Sequence, residues 1–199
     1  MRLLEKALQE NYFVVNKTYA SMRHPIEHLA ETAITESLEL CKSQHPKKQH
    51  AIHFVTHSLG GILVRQYLAE HKISNLGYTV MLGPPNQGSE LSDFFSNNIL
   101  FKLINGPTGL QLGTGDKSVP IRLGPVDFKL GVIAGNVSFN PLFSKLIKGS
   151  NDGKVSVERS KISGMADHLV LPVSHTFMMQ NPEVIRQTKH FLLHASFDH

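Results

Sequence analysis

Three side chains with complementary chemistry occur in the order Ser58, Asp152, His175 along the 199-residue chain. A serine hydroxyl becomes an effective nucleophile when a histidine takes its proton, and the histidine in turn needs an acid that orients its ring. These residue types could therefore carry out nucleophilic catalysis by Ser58, provided that the fold brings them to one place.

Ser58 lies between an apolar run and a helical pattern in residues 51–67, AIHFVTHSLGGILVRQY. This arrangement predicts a sharp turn that exposes the serine hydroxyl at the C-terminal end of a buried strand. The helix behind it begins with unpaired backbone N–H groups, which can stabilise a developing negative charge. Gly60 and Gly61 suit the turn, because a Cβ would not fit where helix and strand nearly touch. Thr56 stands where such turns usually have glycine, so we expect the turn to be strained.

The chain has twelve histidines, and their positions select one of them as the candidate base. His175 follows a predicted strand at 168–173 and precedes the last predicted helix. His57 directly precedes Ser58, and we expect its ring to point away from the site. Structural roles are expected for the histidines inside predicted strands or the final helix, namely His53, His168, His190 and His194.

Asp152 is the candidate acid among six aspartates. It belongs to the turn Gly149-Ser150-Asn151-Asp152-Gly153, which precedes His175 by 23 residues. Asn, Asp and Gly also favour turns for conformational reasons alone, so the triplet by itself is not specific. Its place between the serine and the histidine favours Asp152. Asp93, which follows a predicted strand at 78–82, is the alternative.

Strands and helices alternate along most of the chain. The predicted strands are 12–15, 51–55, 78–82, 128–134 and 168–173, and helical spacing covers 3–9, 25–41, 62–68 and 182–194. This alternation predicts an α/β fold with a mostly parallel sheet and helices on both faces. Length and a hydrophobic content of 41% fit one domain, 1–199. A mixed apolar and glycine-rich stretch at 89–125 interrupts the rhythm and is a candidate cap or lid insertion.

Composition excludes several classes of partner. The net charge is +4, but the basic residues are scattered and the densest run is Lys47-Lys48, so we expect no nucleic-acid binding.

Cys41 is the only cysteine, which excludes an intrachain disulfide and is compatible with a reducing compartment. No apolar run approaches the about 20 residues of a membrane span, and the N-terminus lacks a signal peptide. We therefore predict a cytoplasmic protein without a transmembrane segment.

Four segments in order resemble the lipase and esterase branch of the α/β-hydrolase superfamily: THSLGG, LGPPNQGSE, GSNDGKVSVE and HTFMMQNPEVI. The resemblance extends over nearly the whole chain. It implies Ser58 as nucleophile, Asp152 as acid, His175 as base and the Leu59 amide as an oxyanion donor. It also implies an acyl-enzyme route for small-molecule or lipid carboxylic esters, with no metal or organic cofactor.

The chain departs from this family at its start. Relatives have an apolar strand and an HG-type loop before the first helix, and that loop supplies a second oxyanion amide. Here Met1 already belongs to that helix, so we expect an N-terminally truncated form of the fold. We expect an uncovered edge beside residues 12–15, which favours self-association. The loop 83–88 is then the first place to look for the second donor.

These features leave alternatives to an ordinary esterase. Loss of an oxyanion donor typically lowers kcat by about 10²–10³, so the protein could be a weakly active or non-catalytic binding protein with a hydrolase fold. The same three side chains also serve thioesterases and amidases. The apolar segment 89–101 is expected either to wall an acyl-chain site or to cover the sheet edge. Met178 and Met179, close to His175, could line an acyl pocket or fill the core.

Overall fold

Four parallel strands form one sheet in the computed structural model, which describes residues 1–21, 23–44, 50–95, 108–139 and 141–199. The strands pair in chain order and are β1 (Ile52–His57), β2 (Leu76–Leu82), β3 (Leu130–Gly135) and β4 (Asp167–Leu171). The helices are α1 (Arg2–Leu8), α2 (Ile26–Gln44), α3 (Leu59–Glu70), α4 (Glu90–Phe95), α5 (Val119–Arg122), α6 (Pro141–Leu146), α7 (Val157–Ser160), a 3-10 turn (Met178–Gln180) and α8 (Pro182–His194). The predicted α/β fold is therefore confirmed.

The two central strands are buried because both faces of the sheet are covered. Every residue of β3 and the last four of β2 are buried, which matches their nearly continuous apolar sequences. Val80 and Leu82 pack with α1 and α8 on one face, while Met81 packs with Leu130 and Val132 on the other. A further apolar cluster joins α2 to α3. Parallel strands place their carboxyl ends along one edge, where the loops that follow them meet.

The last helix, α8, matches its predicted bounds. Asn181 caps its start, with Oδ1 accepting the N–H groups of Glu183 at 2.8 Å and Val184 at 3.2 Å. Pro182 occupies the first helical position, where its missing N–H has no consequence. These are local signals, and for this reason the sequence predicts this helix well.

The strand predicted at residues 12–15 is wrong. The segment is irregular, although Tyr12 and Val14 do pack against the apolar cluster of α1 and α8. Tyr12 also makes an edge-to-face contact with His53 of β1, with ring centroids 5.6 Å apart. β-rich side chains can be buried without ladder hydrogen bonds, and a run this short becomes a strand only beside a strand partner.

The segment proposed as a cap is described in part. α4 and α5 lie within 89–125, whereas residues 96–107, including the end of the apolar run 89–101, lie outside the described residues. Lys47 and Lys48 also lie outside them. Met178 is completely buried in the core, and Met179 packs against the same cluster, which agrees with the core role. Across the described ranges, no helix combines the length and apolarity needed to cross a membrane.

Candidate active site

Ser58 forms the turn between β1 and α3. Its backbone has φ 53° and ψ −123°, a conformation that L-residues rarely adopt. The Ser58 N–H donates to the Leu82 carbonyl at 2.9 Å, and the Gly61 N–H donates to the Ser58 carbonyl at 3.1 Å. Strain of this kind costs about 1–3 kcal/mol and persists only where the surroundings impose it. The strained turn expected from the sequence is present.

Two glycines make room for this turn. A Cβ added at Gly60 would lie 3.3 Å from the Cβ of Thr56, and one added at Gly61 would lie 2.9 Å from the sulfur of Met81. Thr56 is therefore accommodated at the position that is usually glycine, because Gly60 has no side chain opposite it.

His175 bridges the other two candidate residues. Its Nε2 lies 3.0 Å from Ser58 Oγ, and its Nδ1 lies 2.7 Å from Asp152 Oδ2. Because an ionised carboxylate only accepts hydrogen bonds, Nδ1 carries the hydrogen and Nε2 can accept the serine proton. His175 and Asp152 are each only 3% exposed, so water does not surround the pair. The arrangement can remove a proton from Ser58 and stabilise the imidazolium that results.

The turn that carries Asp152 also fixes its carboxylate. Oδ1 accepts the backbone N–H groups of Lys154 at 2.9 Å and Val155 at 2.8 Å, which leaves Oδ2 for His175. The Asp152 carbonyl accepts the N–H of His175 at 3.0 Å. The two interpretations of the Asn-Asp-Gly segment are thus compatible, since the turn itself orients the acid.

Two further glycines provide space for Asp152 and His175, and the sequence alone gives them no such role. Gly83, at the end of β2, has φ +54°, and an added Cβ would lie 3.0 Å from Asp152 Oδ2 and 3.1 Å from His175 Nδ1. A Cβ at Gly135, at the end of β3, would overlap the Val173 carbonyl oxygen and lie 2.9 Å from the Asp152 Cβ. The available signal was a glycine at the C-terminal end of each of the two central strands, β2 and β3.

The expectation that the His57 ring points away from the site is wrong. Its ring centroid lies 4.6 Å from that of His175, and its Nε2 lies 2.9 Å from the His175 carbonyl oxygen. Burial, followed by repulsion from His175, lowers the pKa of His57 from 6.5 to about 4. His57 therefore stays neutral at ordinary pH.

The remaining candidates have partners elsewhere. His168 Nε2 pairs with the Ser160 hydroxyl, His53 Nδ1 accepts the Tyr78 N–H, and His190 Nδ1 donates to the Ser196 carbonyl. Asp93, the alternative acid, accepts hydrogen bonds from the N–H and the hydroxyl of Thr114. Of these aspartates, Asp152 is the one that contacts His175.

Backbone amides near Ser58 are the candidates for stabilising an oxyanion. Leu59 is the first residue of α3, where an N–H has no partner within the helix. In the loop 83–88 three amides are already used, since Gly83 donates to Ile133, Gln87 to Arg159 and Gly88 to Pro85. Pro84 and Pro85 have no N–H. The three engaged amides of this loop are therefore not available to a ligand in this conformation.

Comparison with solved structures identifies the fold. No protein-family model matches the sequence, and no curated protein sequence matches it. The mature lipase of Bacillus licheniformis matches 94% of the chain and 82% of its own length, with a TM-score of 0.70 and 17% identity. Phospholipase PlaB of Legionella pneumophila matches 97% of this chain and 56% of its own, with a TM-score of 0.74 and 16% identity. A metagenomic carboxyl esterase matches 88% and 58%, with a TM-score of 0.60 and 16% identity.

The chain has the fold of the α/β hydrolases. Its structural relatives are lipases and esterases, in agreement with the resemblance seen in the sequence. At 16–17% identity such likeness defines the fold, and the chemistry must be argued from the site itself.

Proposed function

We propose that the protein is a serine hydrolase that cleaves carboxylic esters through an acyl-enzyme intermediate. Ser58 is the nucleophile, His175 the general base, Asp152 the orienting acid and the Leu59 amide an oxyanion donor. The observation that carries this proposal is the continuous contact from Ser58 Oγ to His175 Nε2 at 3.0 Å and from His175 Nδ1 to Asp152 Oδ2 at 2.7 Å.

In the acylation step, Ser58 Oγ attacks the ester carbonyl carbon while its proton passes to His175 Nε2. The carbonyl π electrons move to the oxygen, and the Leu59 N–H at the start of α3 stabilises the negative charge. Asp152 stabilises the imidazolium. When the tetrahedral intermediate collapses, the carbon–oxygen bond to the alcohol breaks and the alcohol oxygen takes the proton from His175.

In the deacylation step, a water molecule repeats this chemistry. His175 accepts a proton from water as the water oxygen bonds to the acyl carbon. The bond to Ser58 Oγ then breaks, the carboxylic acid leaves and His175 returns the proton to Ser58. The site is regenerated with no change in oxidation state.

Exposed apolar side chains near His175 support the proposal that the substrate is an ester with an apolar group. Phe139 follows β3 and Phe177 follows His175 by two residues, and their side chains are 74% and 53% exposed in an edge-to-face pair with centroids 6.1 Å apart. Adjacent exposed apolar side chains can form part of a contact surface for an apolar group. The structural relatives are a lipase, a phospholipase and a carboxyl esterase, and this likeness supports ester cleavage. The same chemistry applies to thioesters and amides, which belong in the substrate panel.

Labelling with a fluorophosphonate tests the proposal, because only an activated serine reacts. Wild-type protein should be labelled once per chain and should hydrolyse short p-nitrophenyl esters. Ser58→Ala should lose both properties while keeping its fold. Ser37→Ala serves as the matched control, since Ser37 donates to the Ala33 carbonyl within α2, away from the site.

The alternative of a non-catalytic binding protein makes the opposite forecast. A folded wild-type protein that neither reacts with the probe nor cleaves esters would favour it. One observation favours this alternative. The amides of Gly83, Gln87 and Gly88 already donate hydrogen bonds, although they lie in the loop that is expected to supply the second oxyanion donor.

A further inference from the structure

His57 completes the set of contacts around His175. The main-chain N–H of His175 donates to the Asp152 carbonyl at 3.0 Å, and its main-chain carbonyl accepts from His57 Nε2 at 2.9 Å. The two ring nitrogens of His175 contact Asp152 and Ser58. The main-chain N–H, the main-chain carbonyl and both ring nitrogens of His175 therefore each have a hydrogen-bond partner. His57 is the partner of the carbonyl.

This contact links the two ends of the sheet. His57 is the last residue of β1 and the covalent neighbour of Ser58, whereas His175 follows β4, and β1 and β4 are the two edges of the sheet. Two separate contacts thus fix the position of the proposed base relative to the proposed nucleophile. One contact is the direct pair with Ser58, and the other runs through the ring of the preceding residue.

The protonation of His57 follows from its partner. A carbonyl oxygen only accepts hydrogen bonds, so Nε2 of His57 carries the hydrogen. Burial and then the charges of His175 and Lys154 lower the pKa of His57 to about 4. The hydrogen bond to the His175 carbonyl and the charge of Asp152 oppose this shift but do not outweigh it, so the ring is neutral. A neutral ring adds no second positive charge when His175, 4.6 Å away, becomes an imidazolium.

We propose that His57 is a positioning residue whose Nε2–H holds the main chain of His175, so that the His175 ring keeps its hydrogen bond with Ser58 through the reaction. The inference deepens the proposed function and rests on it. It assigns a role to a ring that never contacts the reacting atoms.

Two substitutions separate the hydrogen bond from the volume of the ring. In His57→Gln the amide nitrogen lies as many bonds from Cβ as Nε2 does and still donates. His57→Leu has similar bulk and no donor. Activity is expressed per serine titrated with fluorophosphonate, which removes any effect of unfolded protein. We expect His57→Leu to lower kcat at least about tenfold with KM nearly unchanged, and His57→Gln to recover it to within about threefold.

His53→Leu is the matched control for these measurements. His53 lies on the same strand, is also half-buried, and accepts the Tyr78 N–H without contacting His175. Its replacement should lower the free energy of unfolding and leave kcat per titrated serine unchanged. Equal losses in His53→Leu and His57→Leu would assign His57 a purely structural role and overturn the proposal.

Histidine side-chain ¹⁵N NMR provides a readout that does not depend on activity. Wild-type His57 should be the neutral Nε2–H form from pH 5 to 8, and the His175 ring signals should shift in His57→Leu but not in His57→Gln. An Nδ1–H form of His57, or unchanged His175 signals in both variants, contradicts the inference. Absence of Ser58-dependent turnover in the wild type would instead contradict the proposed function, and the NMR result would still decide the role of His57.

Discussion

Gly83 lies directly against the ring of His175: a Cβ added to this glycine would be 3.1 Å from His175 Nδ1. The same Cβ would be 3.0 Å from Asp152 Oδ2, the oxygen that pairs with that nitrogen. The backbone that follows β2 is therefore in contact with the Asp152–His175 pair, and the absence of a side chain at Gly83 permits the 2.7 Å hydrogen bond.

Gly83→Ala should separate this pair. We expect kcat for p-nitrophenyl esters to fall at least about tenfold, because the added methyl group meets two buried polar groups that have little room to move. The free energy of unfolding should fall by more than about 1 kcal/mol, since φ is +54°. Gly124→Ala is the control: its φ is +62°, but its Cβ would meet open space. Gly124→Ala should destabilise the fold without lowering kcat, and equal kcat losses in both variants would argue against the contact.

Removal of the proposed nucleophile or the proposed base should abolish turnover. Residues that act as a unit lose activity together, so we expect Ser58→Ala and His175→Ala each to lower kcat by about 10⁴ or more. Steady-state hydrolysis assays measure the loss of kcat, and circular dichroism checks that each variant is folded. His190→Ala is the control, because the partly exposed His190 ring donates to the Ser196 carbonyl and has no contact with Ser58 or Asp152. A comparable loss in His190→Ala with an intact fold would show that His175 is the wrong base.

Asp152→Asn should preserve the turn and remove the acid. The Asn oxygen can still accept the Lys154 and Val155 N–H groups, but the amide cannot accept from His175 Nδ1. We expect a loss of about 10⁴ in kcat, as when a histidine is held in the wrong tautomer.

The matched control for Asp152→Asn is Asp93→Asn. Asp93 also accepts a backbone N–H, that of Thr114, but does not contact the histidine. Its replacement should leave kcat within about twofold of wild type. A large loss in Asp93→Asn and a small one in Asp152→Asn would reverse the assignment of the acid.

Stability should fall as the pH is lowered from 7 to 5. Burial lowers the pKa values of His53, His57 and His168 below 6.5, that of His57 to about 4. Between the unfolded and folded pKa values the unfolded chain binds more protons, so the free energy of unfolding is highest above pH 6.5 and decreases as the pH falls through this window. Urea unfolding at pH 7 and pH 5 measures the difference.

His57→Gln should reduce this pH dependence, because glutamine does not titrate. Carboxylates with lowered pKa values, such as Asp167 and Glu183, titrate mostly below the window and contribute little to it. If the wild type and His57→Gln lose the same free energy of unfolding between pH 7 and 5, His57 is not held neutral by the fold.

The sequence alone determined the features that depend on neighbouring residues. The turn at Ser58, the Asn-Asp-Gly turn at Asp152 and the bounds of α8 follow from glycine, proline and capping residues within a few positions. The alternation of strands and helices was equally local, and it was enough to predict the parallel sheet. The candidate site residues could be selected because parallel strands bring their following loops to one edge.

Only the tertiary structure decided what depends on distant partners. Residues 12–15 have β-forming side chains, but in the part of the chain that the structure describes they pair with no strand, so their preference is not realised. The direction of the His57 ring is set by a carbonyl 118 positions away, and the need for glycine at 83 is set by Asp152 and His175. Local signals determine backbone shape through short-range sterics and hydrogen bonds. Contacts between separate loops depend on packing across the whole sheet, which no short segment of sequence encodes.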